Sequence, residues 1–241
     1  MEKTLIIIPT YNESENVEKL LEEIYQVKDD LNILIVDDNS PDKTYEIIER
    51  LIDKKYKNKL FILKRSGKLG LGTAYITGFR WALARDYDYI FEMDADFSHS
   101  PKYIPEFLKE IKTYDLVIGS RYVPGGGVVN WGIIRKFVSR GGSLYSRIIL
   151  GAPIKDFTGG FKCFKRKTLK DLNLDKIVSN GYSFQVELNY KVWLKGMKIK
   201  EIPIVFEDRT LGQSKMSKKI FLEAILKVLW MRINKKFLKE N

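Results

Sequence analysis

The chain has 241 residues, 44% of them hydrophobic and 30% charged, with a formal net charge of +11. This composition excludes a disordered or low-complexity protein, and the length suits one globular domain. The single cysteine, Cys163, excludes an internal disulfide and a cysteine-rich zinc site. No apolar run reaches the roughly 20 residues that a membrane-spanning helix needs. The first residues lack the long apolar run of a secretory signal, so we expect a cytoplasmic, reducing location.

The first half of the chain alternates predicted strands with predicted helices. The predicted strands are TLIIIP, NILIVDD, KLFILK, DYIFEMDAD and DLVIGS. The predicted helices are NESENVEKLLEEIYQV, with Asn12 or Ser14 as its N-cap, SPDKTYEIIERLI, LGLGTAYITGFRWALA and PKYIPEFLKEI. This alternation predicts βαβ units and a three-layer, Rossmann-like α/β fold with a mostly parallel central sheet.

The pattern changes after residue 120. YVPGGGVVNWG predicts a glycine-containing loop, and IRKFVSRGGSLYSRIIL predicts a segment that is helical in parts. Short strands are predicted within GGFKCFKRKTL and KIKEIPIVFEDR, and TLGQSKMSKK predicts a polar, basic loop. The tail, KKIFLEAILKVLWMRINKKFLKEN, predicts a basic amphipathic helix.

The charge is distributed unevenly between the two halves. Residues 1–100 have 14 basic and 19 acidic side chains, whereas residues 101–241 have 28 and 12. A basic second half favours an anionic partner, which could be nucleic acid, a phosphorylated substrate or an anionic membrane. Lysine-rich helices that only keep the protein soluble would explain part of this excess.

Three polar stretches follow predicted strands: PTYNE, DDNSPD and DADFSH. In parallel α/β sheets, ligands bind at the carboxyl ends of the strands. Asp94 and Asp96 are two residues apart, so in an extended segment they share a face. Two carboxylates on one face, two residues apart, repel each other unless a cation lies between them. Mg²⁺ or Mn²⁺ together with a diphosphate fits this pairing. The alternative is that one of them caps the turn before the next helix.

The ordered motifs PTYNE, VDDNSPD, KLGLGTAYITGF, MDADFSHSP, GSRY and DRTLGQSKM resemble the family 2 glycosyltransferases of the GT-A fold. More narrowly, they resemble the polyprenyl-phosphate hexosyltransferases related to dolichol-phosphate mannose synthase. The resemblance covers about residues 4–220 and implies inverting transfer of a hexose to a polyprenyl or dolichyl monophosphate. Mannose from GDP-mannose is the first expectation; glucose or GlcNAc from a UDP-sugar, or a non-enzymatic membrane-surface adaptor, are the alternatives.

The resemblance also implies roles for individual residues. It implies that the nucleotide sugar is bound by Pro9, Tyr11, Glu13, Val36, Asp38, Asp94, Ala95, Asp96, Arg209 and Lys215. The acceptor phosphate would be held by Arg121, Arg135 and Ser139, and the catalytic set would be Asp96, Arg121, Arg135, Arg209 and Lys215. Asp94 and Asp96 would bind the metal, with Ser98 where many relatives place a glutamine on the metal; a serine hydroxyl is a weaker ligand, and a water is the alternative there.

The implied division is one catalytic domain, residues 1–215, followed by a basic helix, residues 216–241. Residues 1–120 would form the nucleotide-binding half and residues 121–215 the acceptor half. The acceptor phosphate would itself be the nucleophile, because a phosphate monoester has a second pKa of about 6 and is mostly dianionic near neutral pH. No strong general base is then needed, which suits a chain whose only histidine is His99.

A lipid acceptor requires contact with a membrane. The tail offers apolar residues beside lysines, namely Ile220, Phe221, Ile225, Leu229 and Trp230 with Lys218, Lys219, Lys235 and Lys236. Such a helix can lie in the interface of anionic lipid, so we expect a peripheral protein on the cytoplasmic face of a membrane. The alternative is that its apolar face packs on the protein core. The resemblance adds a small membrane subunit as a candidate partner.

Other functions fit the sequence less well. A transferase acting on a saccharide would need a carboxylate base for a neutral alcohol, and the chain has no QxxRW motif of the saccharide-polymerising enzymes. A nucleic-acid-binding protein would show a recognisable binding motif in the basic half, and none is present.

Overall fold

The computed structural model describes residues 2–207 and 218–240. The strands are β1 (Thr4–Thr10), β2 (Asn32–Asp37), β3 (Leu60–Lys64), β4 (Tyr89–Glu92), β5 (Leu116–Ser120), β6 (Gly127–Val129), β7 (Lys162–Lys165), β8 (Ile199–Pro203) and β9 (Val205–Glu207). The helices are α1 (Val17–Val27), α2 (Thr44–Lys54), α3 (Leu71–Leu83), α4 (Ile104–Glu110), α5 (Ile133–Leu150), α6 (Arg166–Asp171), α7 (Gly181–Leu194), α8 (Lys218–Ile233) and α9 (Lys235–Glu240).

Seven strands form one sheet in the order β3-β2-β1-β4-β7-β5-β8. All neighbours are parallel except β7, which runs antiparallel to both β4 and β5. This confirms the predicted α/β fold with a mostly parallel sheet. Because β7 comes from the second half of the chain and lies between two strands of the first half, both halves share one sheet.

Helices cover both faces of the sheet, which explains why β1 is apolar without alternation. Leu5 and Ile7 of β1 lie in one core cluster with α3 residues such as Phe79. Ile6 and Ile8 lie in a second cluster on the other face. The predicted three-layer arrangement is therefore observed.

Helix α3 packs closely on β1 because of one glycine. A Cβ atom at Gly78 would lie 2.6 Å from Ile7 Cγ2, which is too close for a real contact. The glycine therefore sets how near the helix approaches the strand that leads into the candidate site.

The first two helices begin later than the sequence patterns predict. Helix α1 begins at Val17, and neither Asn12 nor Ser14 caps it. Asn12 instead has a φ of +61°, and its N–H donates to Ser40 Oγ at 3.1 Å. The Ser14 N–H donates to Asp42 Oδ2 at 3.0 Å. The cap prediction was wrong because these polar groups join two neighbouring loops rather than starting a helix.

Strand β4 ends at Glu92, so the prediction of an extended strand through Asp96 was also wrong. Residues 93–99 form a loop in which Phe97 has a φ of +61°. Asp94 and Asp96 thus lie in a bent segment, and the alternation of side chains along a strand does not apply to them.

The region after residue 120 has more regular structure than expected. The glycine-containing loop includes β6, which pairs in parallel with β9 as a separate two-stranded sheet. Helix α5 is continuous over 18 residues. The short strands predicted in the second half are present as β7, β8 and β9.

Helix α8 packs against α5 and α7. Val228 and Met231 are buried, whereas Leu226 and Ile233 are 58% and 81% exposed. Apolar residues therefore lie on both the packed and the exposed side, a distribution that does not confirm a simple amphipathic helix. The side chains of residues 218–221 lie outside the described part of the chain. No helix in the described ranges combines the length and hydropathy needed to cross a membrane.

Candidate active site

The loops after β1, β2 and β4 meet at one edge of the sheet because their strands are parallel neighbours. Pro9 of β1 lies opposite Val36 of β2, and Ile7 of β1 lies opposite Glu92 of β4. The three acidic or polar stretches expected to share a site therefore emerge side by side.

A buried carboxylate, Asp37, ties the first two loops together. It is fully buried and accepts hydrogen bonds from Thr10 Oγ1 at 2.8 Å, Ser40 N–H at 3.0 Å and Ser40 Oγ at 2.6 Å. Sequence reasoning assigned a role to Asp38 and not to Asp37, because nothing in an Asp-Asp doublet shows which member turns inward.

Asp38 connects the second loop to the glycine-rich entry of α3. Its carboxylate pairs with Arg65 Nη1 at 2.8 Å and accepts the Leu69 N–H at 3.3 Å. Burial raises the pKa of Asp38, and the charge of Arg65 opposes that rise. Beside this pair the Lys68 ammonium lies 4.0 Å from the centre of the Tyr11 ring.

The other predicted nucleotide-side residues differ in what they can offer. Pro9 and Glu13 are half-buried at the edge, and Glu13 Oε2 accepts from Asn16 Nδ2 at 2.8 Å. Val36 and Ala95 are buried, with 0% and 3% exposure. A ligand would meet these two residues through their backbone only.

Asp94 is positioned by contacts from two sides. Its Oδ1 accepts the Tyr75 hydroxyl at 3.0 Å, and its backbone N–H donates to His99 Nδ1 at 2.9 Å. Burial, followed by the charge of Asp94, raises the pKa of Tyr75 well above its ordinary value. Tyr75 is therefore a protonated donor at any physiological pH, and no sequence motif indicated that its hydroxyl would reach Asp94.

His99 is 2% exposed, and its tautomer follows from its contacts. Since Nδ1 accepts a hydrogen bond, the proton of the neutral ring lies on Nε2, which is 3.9 Å from Asp94 Oδ2. Burial lowers the pKa of His99, against the opposing charge of Asp94. The ring stacks on Phe161 with centroids 5.1 Å apart.

Asp96 is held by Ser98, whose N–H and Oγ both donate to Asp96 Oδ1 at 3.2 and 2.5 Å. Within residues 2–207 and 218–240, no three His, Cys, Asp or Glu side chains come together as a metal cluster. Two carboxylates with hard oxygen donors nevertheless fit Mg²⁺ or Mn²⁺, because such ions commonly take one or two carboxylates plus substrate phosphates.

A buried charge pair lies just below this loop. Glu92 and Lys162 are both fully buried, face each other across β4 and β7, and approach to 3.7 Å. Lys162 also donates to Gln185 Oε1. Burial raises the pKa of Glu92 to about 7 and lowers that of Lys162 to about 8, and in each case the partner's charge opposes the shift. The sequence patterns did not predict this pair.

Arg121 follows β5, and its side chain forms a buried ion pair with Asp156. Its Nε and Nη2 each donate to Asp156 at 2.7 Å, and its backbone N–H donates to the same carboxylate at 3.0 Å. Nη2 also donates to Thr158 Oγ1 at 2.8 Å. Burial acts to raise the pKa of Asp156, but the Arg121 charge and hydrogen bonds outweigh it and hold that pKa below its ordinary value. Asp156 was not predicted.

The other two predicted acceptor-side residues lie near Arg121. Ser139 Oγ accepts the Tyr122 hydroxyl at 2.8 Å. The guanidinium carbons of Arg135 and Arg121 lie 4.3 and 5.6 Å from the centre of the Trp131 ring. The structure therefore brings the three residues into one cationic and aromatic cluster.

Phe206 links this cluster to the carboxylate loop. It packs edge-on against Trp131 at 5.3 Å and against His99 at 5.7 Å. Phe206 thus joins the loop that contains Asp94 and His99 to the cluster around Trp131. Arg209 and Lys215 lie outside the described residues.

Comparison with known proteins identifies the family of this chain. Residues 5–172 match the family model described as glycosyl transferase family 2. The chain is 45% identical over 226 residues to an undecaprenyl-phosphate mannosyltransferase of Micrococcus luteus, covering 94% of this chain and 92% of the relative. It is 41% identical over 228 residues to a polyprenol monophosphomannose synthase of Mycolicibacterium smegmatis, covering 94% and 86%.

Solved structures share the fold at lower identity. A glucosyl-3-phosphoglycerate synthase from Mycobacterium tuberculosis aligns with a TM-score of 0.68 at 19% identity, over 95% of this chain and 79% of that one. A mannosyltransferase from Pyrobaculum calidifontis, solved with GDP-Man and Mn²⁺, aligns with a TM-score of 0.61 at 17% identity, over 99% and 72%. The family resemblance noted from the motifs is confirmed, and the chain belongs to glycosyl transferase family 2.

Proposed function

We propose that this protein transfers mannose from GDP-mannose to a polyprenyl monophosphate, with inversion at the anomeric carbon. The observation that carries the proposal is the joining of a carboxylate loop and an arginine cluster in one site. The first suits a metal-bound diphosphate, and the second suits a phosphate monoester. The two relatives above 40% identity are named for mannose transfer to such lipids, which supports the choice of sugar and acceptor.

On the donor side, Asp94 and Asp96 would hold Mg²⁺ or Mn²⁺. When bound, such an ion neutralises charge on the leaving diphosphate. The Mn²⁺ and GDP-Man in the Pyrobaculum calidifontis structure support this assignment. Because the Ser98 hydroxyl donates to Asp96, we assign Ser98 to orienting that carboxylate, with a water in the remaining metal position.

The nucleotide would lie along the edge formed by the first two loops. Pro9, Tyr11, Glu13 and Asp38 offer side chains there, whereas Val36 and Ala95 offer backbone groups. Arg209 and Lys215 are proposed, from the sequence resemblance, as cations that close on the diphosphate. Residues 1–120 then act as the nucleotide-binding half and residues 121–215 as the acceptor half.

On the acceptor side, Arg121, Arg135 and Ser139 would bind the lipid phosphate. Arginine suits this role because its planar donors match phosphate oxygens. Asp156 fixes the Arg121 side chain in place, so its orientation does not have to be selected on binding. A phosphate oxygen bonds to the anomeric carbon while the bond from that carbon to the diphosphate oxygen breaks and GDP leaves. The protein's contribution is to align the two substrates.

An exposed apolar surface on α5 and α8 supports peripheral membrane binding. Its members are Ile133, Ile134, Phe137, Leu144 and Ile148 of α5 with Leu222, Leu226, Leu229 and Ile233 of α8, each 39–81% exposed. Exposed basic residues border it, namely Lys136, Arg140, Arg147, Lys235 and Lys236. Apolar patches of this kind, edged by basic residues, favour an anionic lipid interface.

An apolar groove runs into this surface. It measures about 370 Å³ and is lined by Phe137, Val138, Gly141, Gly142, Tyr145 and Ile225. We propose that the membrane surface lies here, so that the lipid phosphate enters beside Arg135 on the same helix. A small membrane subunit stays a prediction of the resemblance, and the cytoplasmic face stays a prediction of the sequence.

The test is transfer of radiolabelled sugar to undecaprenyl phosphate in anionic vesicles. GDP-mannose, UDP-glucose and UDP-GlcNAc are offered separately, each with Mn²⁺ or with EDTA. We expect lipid-linked product from GDP-mannose with Mn²⁺ only. The variant Asp96→Asn should lose transfer, whereas Asp175→Asn, a surface carboxylate 77% exposed, should keep it. If lipid-linked product forms only from a UDP-sugar, that sugar nucleotide replaces GDP-mannose as the assigned donor. If no donor yields lipid-linked product, the proposal is rejected.

A further inference from the structure

Trp131 lies at the centre of the acceptor cluster with one polar group unaccounted for. The residue is 7% exposed, and its indole Nε1–H has no hydrogen-bond partner in the described part of the chain. A buried N–H without an acceptor destabilises a folded protein, and native structures contain few of them. A phenylalanine would fill most of the same space without the energetic cost of an unpaired N–H. We therefore expect this N–H to have a function.

The neighbours of Trp131 indicate what its missing acceptor is. Two guanidinium groups, from Arg135 and Arg121, lie within 4.3 and 5.6 Å of the ring centre. The third neighbour, Phe206, offers a ring edge at 5.3 Å. Two cations over the indole ring make the electrostatic surroundings of Trp131 suited to an anion. A phosphate oxygen is an acceptor that both guanidinium groups and the indole N–H can share.

The two guanidinium groups lie over the face of the Trp131 ring. The N–H lies in the plane of the indole, whereas a cation that stacks on the ring covers its face. Arg135 is only half-buried and lies in the first turn of α5. Arg121 is held in place, because Asp156 accepts hydrogen bonds from two of its nitrogens.

We propose that the Trp131 indole N–H donates a hydrogen bond to an oxygen of the acceptor phosphate, between Arg121 and Arg135. Trp131 is then an acceptor-binding residue and not only a packing residue of the cluster. The inference rests on the proposed function for the identity of the phosphate, but the geometry of the donor group does not depend on which sugar is transferred.

The first experiment compares Trp131→Phe with Trp193→Phe in the transfer assay. Trp193 is a matched control, since it is partly buried, stacks on Tyr190 at 5.8 Å and lies outside the site. Loss of a hydrogen bond to a charged group predicts roughly a tenfold rise in the KM for undecaprenyl phosphate in Trp131→Phe. The KM for GDP-mannose should stay unchanged, and Trp193→Phe should alter neither. An unchanged acceptor KM in Trp131→Phe would overturn the proposal.

The second experiment needs neither turnover nor a variant at Trp131. The wild-type chain has four tryptophans, and ¹⁵N labelling gives one indole N–H resonance for each. Phenylalanine variants of the other three assign the resonance of Trp131 by elimination. Farnesyl phosphate, inorganic phosphate and GDP with Mg²⁺ are then added in separate titrations.

A downfield shift of the Trp131 indole proton with farnesyl phosphate is the expected result, with inorganic phosphate acting only at higher concentration. A shift with GDP and Mg²⁺ alone would assign the N–H to the donor diphosphate and overturn the proposal, as would no shift with any phosphate. If wild-type protein transfers no mannose yet its Trp131 resonance responds to farnesyl phosphate, the proposed function fails and the phosphate site stands.

Discussion

The ion pair between Arg121 and Asp156 allows a test of how the acceptor cluster is held together. Asp156 is fully buried and Arg121 is 8% exposed. The change Asp156→Asn keeps the shape of the side chain but removes its charge and replaces one oxygen by an NH₂ group. That group would face an Arg121 N–H, donor against donor, and the guanidinium would remain buried without its counter-ion.

The expected magnitude follows from the burial of the pair. Removing one partner of a buried ion pair costs about 3–5 kcal/mol, because an uncompensated charge stays in a low-dielectric interior. The control, Asp175→Asn, breaks a pair with Arg80 whose side chains are 77% and 57% exposed. A surface pair of that kind contributes less than about 1 kcal/mol.

Urea denaturation followed by circular dichroism measures both free energies of unfolding. The pH dependence has a defined sign, because the folded-state pKa of Asp156 is below its ordinary value. The stabilisation is then complete above the unfolded-state pKa, about 3.9, and is lost as the pH falls through the folded-state pKa. The gap between wild type and Asp156→Asn should be constant from pH 5 to 7 and should narrow below pH 4. A loss under about 1 kcal/mol at pH 7 would refute the reasoning.

Three further outcomes concern the carboxylate loop and the membrane surface. Tyr75→Phe removes the hydroxyl that donates to Asp94, so the Mn²⁺ concentration for half-maximal transfer should rise about 10- to 100-fold, as measured by metal titration. His99→Ala removes the acceptor of the Asp94 N–H, so kcat should fall at least about tenfold with little change in the KM for the acceptor. His99→Asn should restore part of kcat because its amide oxygen can accept the same hydrogen bond. Phe137→Glu places a charge on the exposed apolar surface, so vesicle flotation should fall several-fold while nucleotide binding, measured by calorimetry, stays unchanged.

The metal titration has a matched control variant, and the flotation test has an outcome that would contradict it. Tyr87→Phe removes a hydroxyl that bonds to Asn32 at 2.9 Å, away from the site, so its metal titration should match the wild type. Equal metal requirements for Tyr75→Phe and Tyr87→Phe would contradict the role given to Tyr75. Flotation of Phe137→Glu equal to that of the wild type would place the membrane surface elsewhere.

Most strands of the main sheet and the layer order could be predicted from the sequence because apolar runs and helical periodicity are local signals. The short strand β6 was not predicted. The loop contacts could not be predicted in this way. Asn12 and Ser14 have the residue types of helix caps, yet their N–H groups donate to side chains more than 25 residues away. A local pattern contains no information about a partner loop that the sheet brings alongside.

The candidate site shows the same difference between local sequence signals and long-range contacts. Asp94, Asp96 and Arg121 belong to recognisable motifs, and the family resemblance added Arg135, so the sequence was enough to propose them. The residues that hold them in place, such as Tyr75, come from other elements, and only the packing of α3 on the sheet shows that a tyrosine hydroxyl reaches Asp94. The partner of Arg121 was missed for a similar reason, because Asp156 lies 35 residues away in the chain.

The antiparallel strand β7 explains how the carboxylate loop and the arginine cluster are spaced. Asp94 follows β4 and Arg121 follows β5, and β7 lies between these strands. Because β7 runs in the opposite direction, its start lies at the edge where the other two strands end, and Gly160 just before it lies against Asp94 and His99. Two strand spacings separate the ends of β4 and β5 by about 10 Å. The strand inserted from the second half of the chain therefore sets the spacing between the loop that contains Asp94 and the arginine cluster, and under the proposed function the hexose would lie in this interval.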